Sequence, residues 1–302
     1  MASPRVTVAV PTAGRPAALR RLLEGLAAAG SELAVEVLVV DNAPDRPAAE
    51  VAGAFPVRYL VEPEPGSAHA RNRALTEAST EVVAFLDDDV VPHPGWLPAL
   101  LAPFADTGVV ATGGPVVLDP SVSRPRWLAD GITGYLSQHD LDAPVRPLVD
   151  GEYLLTANAA FRVDALLTAG GFDPRLGPRP GRQIVADDVH VVRALQRRGG
   201  TVTWTPAAVV THELPAVRLS RRWLLQRAYL QGRSDWLLDA DELRSRRLGG
   251  SRVAAAWLGT ELGRRRHEGL RRPDVRFHLA TDVARTAGAL REALTGLRSP
   301  AA

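Results

Sequence analysis

The stretch EVVAFLDDD, residues 81–89, is an apolar run that ends in three consecutive carboxylates. The β-branched and aromatic residues predict a buried strand over 81–86, so the aspartates stand directly after it. Adjacent carboxylates repel each other, and a bound cation usually offsets this cost. In an extended segment Asp87 and Asp89 point to the same side, so both can reach one metal ion or its ligand. The stretch therefore predicts a strand followed by a cation-binding turn.

The chain around this stretch alternates short β-branched runs with longer segments of helical periodicity. The predicted strands are 6–10, 35–40, 57–61 and 81–86, and the predicted helices are 16–29, 67–79 and 94–105. This order is typical of βαβ units, which build a parallel sheet with helices on its faces. The sequence thus predicts an α/β fold.

Farther along the chain the periodicity weakens. Residues 119–150 are rich in Pro, Asp and Arg and predict a long loop that serves as a lid or an acceptor loop. Strand-like and helical segments return at 152–162, 188–198 and 202–210. Residues 219–238 have the pattern of a long amphipathic helix, and the Ala- and Arg-rich tail is also predicted to be helical.

Composition limits the chemistry that the chain can perform. It has 302 residues and no Cys, so any metal must be held by carboxylates, imidazoles or water, and disulfides are excluded. The N-terminus lacks the pattern of a secretory signal, and no run of 18 apolar residues occurs. These features predict a cytoplasmic protein.

The charges are distributed unevenly along the chain. Residues 1–215 contain 18 Arg and 25 acidic residues, whereas residues 216–302 contain 18 Arg and nine acidic residues. We therefore predict a first domain over 1–215 and a basic, mainly helical C-terminal extension over 216–302. The arginines of the extension fit solvated helix faces, peripheral contact with the anionic inner face of a membrane, or an acidic or lipid-linked acceptor. Its apolar residues fit packing on the first domain or on a second copy of the chain, as in a homodimer. No nucleic-acid motif accompanies the arginines, so nucleic acid is not predicted as a partner.

Polar residues follow three of the predicted strands. Pro11 and Thr12 follow the first strand, Asp41 follows the second, and the aspartates 87–89 follow the fourth. A single aspartate at a strand end is explained by a turn or a helix cap. Ligands of open α/β sheets bind beyond the carboxyl ends of the strands, so three polar ends at one edge predict a binding site.

Several short segments together resemble family 2 glycosyltransferases. They are Val-Pro-Thr at 10–12, Val-Val-Asp-Asn at 39–42, Ala-Arg-Asn at 70–72, Phe-Leu-Asp-Asp-Asp at 85–89, Thr-Ala-Asn at 156–158, Gly-Gly-Phe-Asp at 170–173 and Ala-Asp-Asp-Val at 186–189. The resemblance covers about the first 215 residues. It implies a GT-A fold, with a mixed sheet that binds a nucleotide-sugar and is flanked by helices. It also implies inverting, metal-assisted transfer of a sugar from a nucleoside-diphosphate sugar to an acceptor hydroxyl.

The resemblance also implies roles for individual residues. The donor would contact Pro11, Thr12, Arg15, Asp41, Arg71, Asp87 and Asp88. The acceptor or sugar side would include Asn158, Gly171, Phe172 and Asp173. The metal, Mn²⁺ or Mg²⁺, would be held by Asp89 directly, with Asp87 and His212, and an imidazole ligand would favour manganese. Asp188 would be the general base, with Asp187 as the alternative, although capping of a helix would also explain this pair.

The chemistry of the reaction agrees with this assignment. A sugar that leaves a diphosphate develops negative charge on the phosphate, which a divalent cation stabilises without a proton donor. The acceptor hydroxyl has a high pKa, so a carboxylate must take its proton during attack. A single displacement inverts the anomeric centre.

Two other functions compete with this interpretation. A sugar-phosphate nucleotidyltransferase would need a Gly-rich, basic loop after the first strand, but residues 11–15 are Pro-Thr-Ala-Gly-Arg with one glycine. A non-catalytic nucleotide-sugar-binding protein would gain nothing from the five carboxylates at 87–89 and 187–188.

Overall fold

A computed structural model describes residues 6–28, 35–128, 130–181, 183–245 and 273–296. The chain divides into two compact units. Unit 1 comprises Met1–Asp119, Ser137–Arg182 and Asp187–Glu213, and unit 2 comprises Pro120–Leu136, Gln183–Ala186 and Leu214–Ala302. The sequence did not indicate that 120–136 and 183–186 belong to the second unit. The domain boundary after residue 215 stays a prediction.

Four parallel strands form one half of an eight-stranded sheet in unit 1. They are β1 (Val6–Thr12), β2 (Val35–Asp41), β3 (Arg58–Val61) and β4 (Val82–Leu86), in the order β3-β2-β1-β4. All residues of β1 and β4 are buried, because the β-branched and apolar side chains on both faces are covered. The predicted parallel arrangement of these strands is confirmed.

The other half of the main sheet makes it mixed. It contains β6 (Val109–Gly113), β8 (Arg146–Pro147), β9 (Asn158–Arg162) and β10 (Thr201–Trp204), in the order β9-β6-β10-β8 after β4. β9 is antiparallel to both β4 and β6, whereas β10 is parallel to β6. The predicted mixed sheet is confirmed.

A second, smaller sheet has three short strands. They are β5 (Val90–Pro92), β7 (Val116–Leu118) and β11 (Val210–His212), with β11 in the middle. β5 begins directly after the aspartates at 87–89, and its Val90 pairs with His212. This sheet therefore brings two distant parts of the chain to one place.

Helices cover both faces of the main sheet. They are α1 (Pro16–Ala28), α2 (Ala49–Gly53), α3 (Ser67–Glu77), α4 (Trp96–Leu101), α5 (Val163–Thr168) and α6 (Asp187–Arg197). Alternate residues of β4 enter two apolar clusters, with Ala84 and Leu86 in the cluster that contains α1 and α4. Val83 and Phe85 enter the cluster that contains α3 and α6. Helices on both faces explain why the strands are apolar throughout.

Unit 2 contains two long helices, α7 (Arg221–Ser245) and α8 (Pro273–Gly296), and 3-10 turns at Asp130–Leu136 and Ala216–Leu219. A Cβ atom built on Gly232 would lie 1.7 Å from the carbonyl oxygen of Arg285, and one built on Gly288 would lie 1.9 Å from that of Tyr229. The two backbones therefore touch where the helices cross. No helix in the described part of the chain combines the length and the apolar content that crossing a membrane requires.

Several predictions about the elements need correction. The predicted segment 202–210 is divided between β10 and β11, which belong to different sheets. The loop predicted at 119–150 contains the 3-10 turn Asp130–Leu136 and the strand β8. The helix predicted at 94–105 ends as the 3-10 turn Ala102–Ala105, which contains Pro103. The sequence analysis missed α2, α5, β5, β6 and β7, because elements of three to six residues leave too short a periodic pattern. The helical tail predicted at 246–272 lies outside the described residues.

Candidate active site

The candidate site lies at the edge of the main sheet where β1, β2 and β4 end. Thr12, the last residue of β1, pairs with Asp41, the last residue of β2. β4 runs parallel to β1 on its other side and ends directly before the aspartates at 87–89. The prediction that these strand ends meet is confirmed.

Asp88 is the buried member of the aspartate turn. Its side chain is completely inaccessible, and the hydroxyl of Thr12 donates to Asp88 Oδ2 at 2.6 Å. The guanidinium of Arg15 forms ion pairs with Asp88 and with Asp89. Burial raises the pKa of Asp88 to about 7, although Arg15 and Thr12 act in the opposite direction. The structure thus places Thr12, Arg15 and Asp88 together. The carboxylate of Asp88 is bound by Thr12 and Arg15 of the protein.

Asp89 lies beside His212. The Oδ2 atom of Asp89 is 3.5 Å from Nε2 of His212, and the backbone N–H of Glu213 donates to the Asp89 carbonyl at 2.9 Å. Both residues are buried. The small sheet produces this contact, because the pairing of β5 with β11 aligns His212 with the residue that follows Asp89.

The residues of the aspartate turn and His212 differ in how well they fit a divalent cation. Among the residues that the structure describes, no group of three or more His, Asp or Glu side chains is arranged as a metal site. Asp89 and His212 offer one oxygen and one nitrogen atom at neighbouring positions, whereas Asp87 contacts Arg71. Magnesium-type cations in phosphate-transfer sites take one or two protein ligands, and substrate phosphates and water complete the shell. The pair Asp89 and His212 fits a cation of this kind.

Arg71 connects the aspartate turn to a second pair of carboxylates. Its NH2 group donates to Asp87 Oδ1 at 2.9 Å, and its NH1 group donates to Asp187 Oδ2 at 2.6 Å. The guanidinium lies 5.7 Å from the ring centroid of Phe172. Burial alone would lower the pKa of Arg71, but the surrounding carboxylates raise it above its ordinary value. Arg71 therefore stays charged and links two parts of the chain that are 116 residues apart.

Asp187 and Asp188 begin α6, where the helix dipole favours negative charge. Asp187 is 3% exposed and paired with Arg71. Asp188 is partly accessible and accepts a 2.5 Å hydrogen bond from the hydroxyl of Thr156. Burial raises the pKa of both carboxyl groups, against the lowering effect of Arg71. Asp188 is thus the more accessible residue of the pair.

Asp41 has no exposed surface and is engaged by protein groups. It accepts hydrogen bonds from the backbone N–H groups of Ala43 at 3.0 Å and Ala48 at 3.2 Å, and from the hydroxyl of Tyr59 at 2.9 Å. Pro11 is also buried, within β1. The structure places both residues beneath the edge of the site, and their contact with a donor stays a prediction.

The residues predicted on the acceptor side have mainly structural contacts. Asn158 has no exposed surface, and its amide group bonds to Trp96 Nε1 at 2.7 Å and to the carbonyls of Pro115 at 2.9 Å and Ala208 at 2.6 Å. Gly171 has φ of 68°, and a Cβ there would lie 2.7 Å from the side chain of Asn72.

Asn72 also bonds to both backbone groups of Phe172, whose ring is 1% exposed, and Asp173 pairs with Arg175. Among the four residues predicted on the acceptor side, Phe172 lies beside Arg71, whereas Asn158 is buried away from the surface of the site. Their acceptor role stays a prediction.

Sequence reasoning gave no role to three residues that the structure places at the site. Thr156 holds Asp188, Tyr59 holds Asp41, and Asn72 fixes the turn at Gly171. Thr156 and Asn72 fall inside segments that carry the family resemblance, so their position was a usable signal. Tyr59 gave no such signal, because its partner is known only once β2 and β3 are paired.

Comparison with curated proteins identifies glycosyltransferase relatives. The pre-mycofactocin glycosyltransferase of Mycobacterium tuberculosis is 29% identical over 231 residues, which cover 75% of this chain and 46% of the relative. The succinoglycan biosynthesis protein ExoM of Rhizobium meliloti is 30% identical over 191 residues, which cover 62% of this chain and 58% of the relative. The chain therefore spans about half the length of these relatives.

Solved structures of low sequence identity share the fold. A mannosyltransferase from Pyrobaculum calidifontis, in complex with GDP-Man and Mn²⁺, has a TM-score of 0.58 at 21% identity, and the match covers 100% of this chain and 77% of that chain. GalNAc-T7 with UDP, GalNAc and Mn²⁺ has a TM-score of 0.52 at 12% identity, with 77% of this chain and 51% of that chain covered. The predicted GT-A fold is confirmed.

The sequence also matches a family profile. The profile described as Glycosyl transferase family 2 matches residues 7–166, which include β1, β4, β9 and the aspartate turn. This match covers more than half of the chain, and the chain therefore belongs to glycosyl transferase family 2.

Proposed function

We propose that the protein transfers a sugar from a nucleoside-diphosphate sugar to an acceptor hydroxyl, with inversion at the anomeric carbon. The observation that carries this proposal is the position of Arg71 between Asp87 and Asp187. Arg71 therefore links two parts of the site. One is the aspartate turn, which is expected to hold the donor, and the other is the carboxylate pair, which is expected to activate the acceptor. A donor-binding turn and an acceptor-activating carboxylate on either side of one guanidinium suit a single displacement.

The donor side of the proposal rests on the ends of β1 and β4. Thr12, Arg15 and the aspartate turn form a polar edge where ligands of such sheets bind. Asp89 and His212 would hold the divalent cation, Mn²⁺ or Mg²⁺, which would stabilise the charge of the departing diphosphate. The two solved structures of the same fold contain Mn²⁺ with GDP-Man and with UDP and GalNAc, which supports a nucleotide-sugar donor.

Asp188 is proposed as the general base. Asp187 is committed to Arg71 and is 3% exposed, whereas Asp188 is partly accessible and held by Thr156. A base must reach the hydroxyl proton of the acceptor, so accessibility favours Asp188. The raised pKa of the carboxyl pair makes it a stronger proton acceptor than an ordinary aspartate.

We also propose that the basic C-terminal extension, residues 216–302, is a separate domain that contacts an anionic membrane surface. Val283, Leu290 and Leu294 of α8 are 62%, 38% and 59% exposed. Their spacing places them within about 40° of one another around a helix. An exposed apolar stripe in an Arg-rich segment is typical of a helix that binds at a membrane surface.

The test is a melting-temperature screen combined with a transfer assay. The wild-type protein and Asp188→Asn are mixed with UDP, GDP, dTDP and CDP sugars, each with Mn²⁺, Mg²⁺ or a chelator. A ligand that binds only the folded state raises the melting temperature, so one nucleotide with a metal should stabilise both proteins equally. Donor hydrolysis or transfer should occur in the wild type and fall by about 100-fold or more in the variant.

Two results would contradict the proposal. Stabilisation by none of the nucleotides, with or without metal, would exclude the donor site. Undiminished turnover in Asp188→Asn would exclude this residue as the base and direct attention to Asp187.

A further inference from the structure

Arg15 contacts two adjacent aspartates, and one of them, Asp89, is the expected metal ligand. Its NH1 group pairs with Asp89 Oδ2, and its NH2 group pairs with Asp88 Oδ1. Arg15 belongs to the loop between β1 and α1, directly after Gly14, whose φ is 73°. A guanidinium that spans two neighbouring carboxylates is a strong counter-ion.

The same oxygen atom is the expected metal ligand. Asp89 Oδ2, which pairs with Arg15, lies 3.5 Å from His212 Nε2. A divalent cation held by Asp89 and His212 would have to share or take this oxygen. The guanidinium and the cation therefore compete for one position, because like charges cannot both stand against it without repulsion.

A counter-ion is needed here when the cation is absent. The turn has three consecutive carboxylates, and Asp88 has no exposed surface. A buried carboxylate without an opposite charge is costly, and Arg15 supplies that charge.

The two arginines of the site differ in their freedom to move. The side chain of Arg15 is 42% exposed, whereas that of Arg71 is 7% exposed. Moving the Arg15 head group onto a phosphate costs little burial of the arginine itself, and a cation on Asp89 would then supply positive charge beside Asp88 in its place. Moving Arg71 would leave Asp187 unpaired inside the protein, where no cation is expected. Arg15 is the arginine that can change partners.

We propose that Arg15 is an exchangeable counter-ion, which occupies Asp89 until a divalent cation binds and then transfers its guanidinium to the diphosphate of the donor. The inference rests on the proposed donor site and goes beyond it, because it assigns Arg15 opposite effects on two ligands. Arg15 weakens the binding of the cation alone and strengthens the binding of the nucleoside diphosphate. Removal of a residue with only a structural role would weaken the binding of both the cation and the nucleoside diphosphate.

The experiment measures Mn²⁺ binding to the metal-free protein by calorimetry, without nucleotide, in the wild type, Arg15→Gln and Arg15→Lys. We expect Arg15→Gln to bind Mn²⁺ about fivefold or more tightly than the wild type. Arg15→Lys keeps the charge but cannot span two carboxylates, so its affinity should be intermediate. The affinity for UDP and GDP at saturating Mn²⁺ is then measured, and it should fall in Arg15→Gln.

Arg21→Gln is the matched control. Arg21 pairs with Glu213, which adjoins His212 in the chain, and its side chain is 50% exposed. The substitution removes the same charge from the same part of the protein but leaves the aspartate turn intact. Its Mn²⁺ affinity should stay within about twofold of the wild type. The melting temperature of each variant in chelator shows whether it is folded. If Arg15→Gln is not folded, Arg15→Lys still tests the proposal.

The outcomes separate this inference from the proposed function. Equal or weaker Mn²⁺ binding by both Arg15 variants, with normal binding by the wild type, would overturn the exchange and leave the metal-dependent transferase intact. Mn²⁺ binding by none of the proteins would overturn both the exchange and the metal in the proposed function. Mn²⁺ binding by Arg15→Gln but not by the wild type would be the strongest support.

Discussion

Asp187 and Asp188 are adjacent in the chain, but different groups surround them. Asp187 faces Arg71 in a buried ion pair, which favours its charged form against the effect of burial. Asp188 faces Thr156, whose hydroxyl donates one hydrogen bond. The hydrogen bond fixes the orientation of the carboxylate, and Asp188 as a residue is partly accessible. Two carboxylates of one helix turn can therefore have different roles, because their surroundings differ.

The pH dependence of turnover should reflect this arrangement. Burial raises the pKa of Asp188, so its base form is lost as the pH falls through a value above the ordinary range of aspartate. We expect kcat to fall on the acid side accordingly. Thr156→Val removes a hydrogen bond that favours the charged form, so the acid limb should move to higher pH.

A pH profile of kcat measured at saturating donor checks this expectation. Thr76→Val is the matched control, because Thr76 is exposed on α3 and donates to the carbonyl of Arg73, away from the carboxylate pair. An acid limb that is identical in the wild type and Thr156→Val would show that Asp188 does not set it.

The residues that sequence could place at the site are those that end strands or begin a helix. Thr12 and Asp88 were found from strand ends, because these converge by the geometry of the fold, whereas Asp187 at the start of α6 came from the family resemblance. Thr156 and Tyr59 act through partners that are 32 and 18 residues away, and no periodic pattern encodes such pairs. The interior position of Asn158 was also beyond prediction, because its three partners come from three separate segments.

At the scale of elements, short strands position the site while long ones form the core. β1 and β4 were predicted from their apolar runs, and all their residues are buried. β5, β7 and β11 have three residues each, and their existence depends on one another rather than on local propensity. His212 reaches Asp89 only through this small sheet. The family resemblance named His212 as a metal ligand but could not show which strands would bring it to Asp89.

The crossing of α7 and α8 depends on glycine. A methyl group at Gly232 would lie 1.7 Å from the Arg285 carbonyl oxygen, so the helices would have to separate. We expect Gly232→Ala to lower the free energy of unfolding of this helix pair by about 1–3 kcal/mol, despite the better helix propensity of alanine. Denaturant unfolding followed by circular dichroism measures the change.

Gly134→Ala is the control for this substitution. Gly134 belongs to the same unit, and a Cβ there would meet nothing within 4 Å. If Gly232→Ala were as stable as Gly134→Ala, the result would show that α7 and α8 do not approach each other this closely.

At the scale of the whole molecule, charge and exposed apolar surface coincide in the sequence after residue 215. This region has 18 Arg and nine acidic residues, and α8 exposes Val283, Leu290 and Leu294. Anionic headgroups attract the arginines, and the apolar stripe can enter the interface between headgroups and acyl chains. Neither feature alone would distinguish a membrane contact from an ordinary solvated surface.

Sedimentation with vesicles tests this contact. We expect the protein to sediment with phosphatidylglycerol vesicles at low salt, to be released at high salt, and to remain in solution with phosphatidylcholine. The double substitution Leu290→Asp and Leu294→Asp should reduce the bound fraction. Val145→Asp is the control, because Val145 is 58% exposed in unit 1. Equal sedimentation with both lipids, or no effect of the double substitution, would contradict the proposal.

The shared guanidinium of Arg71 also limits how this site can change in evolution or in the laboratory. Loss of Asp87 or Asp187 would remove one of the two carboxylates that pair with the buried Arg71, and loss of Arg71 would leave the buried Asp187 without its ion pair. Viable replacements at these positions must therefore arrive together, and single steps pass through impaired intermediates. A library that randomises only the aspartate turn to obtain a new donor would mostly yield enzymes with a displaced base. One that keeps Asp87, Arg71 and Asp187 fixed and varies their neighbours would keep both halves of the site aligned.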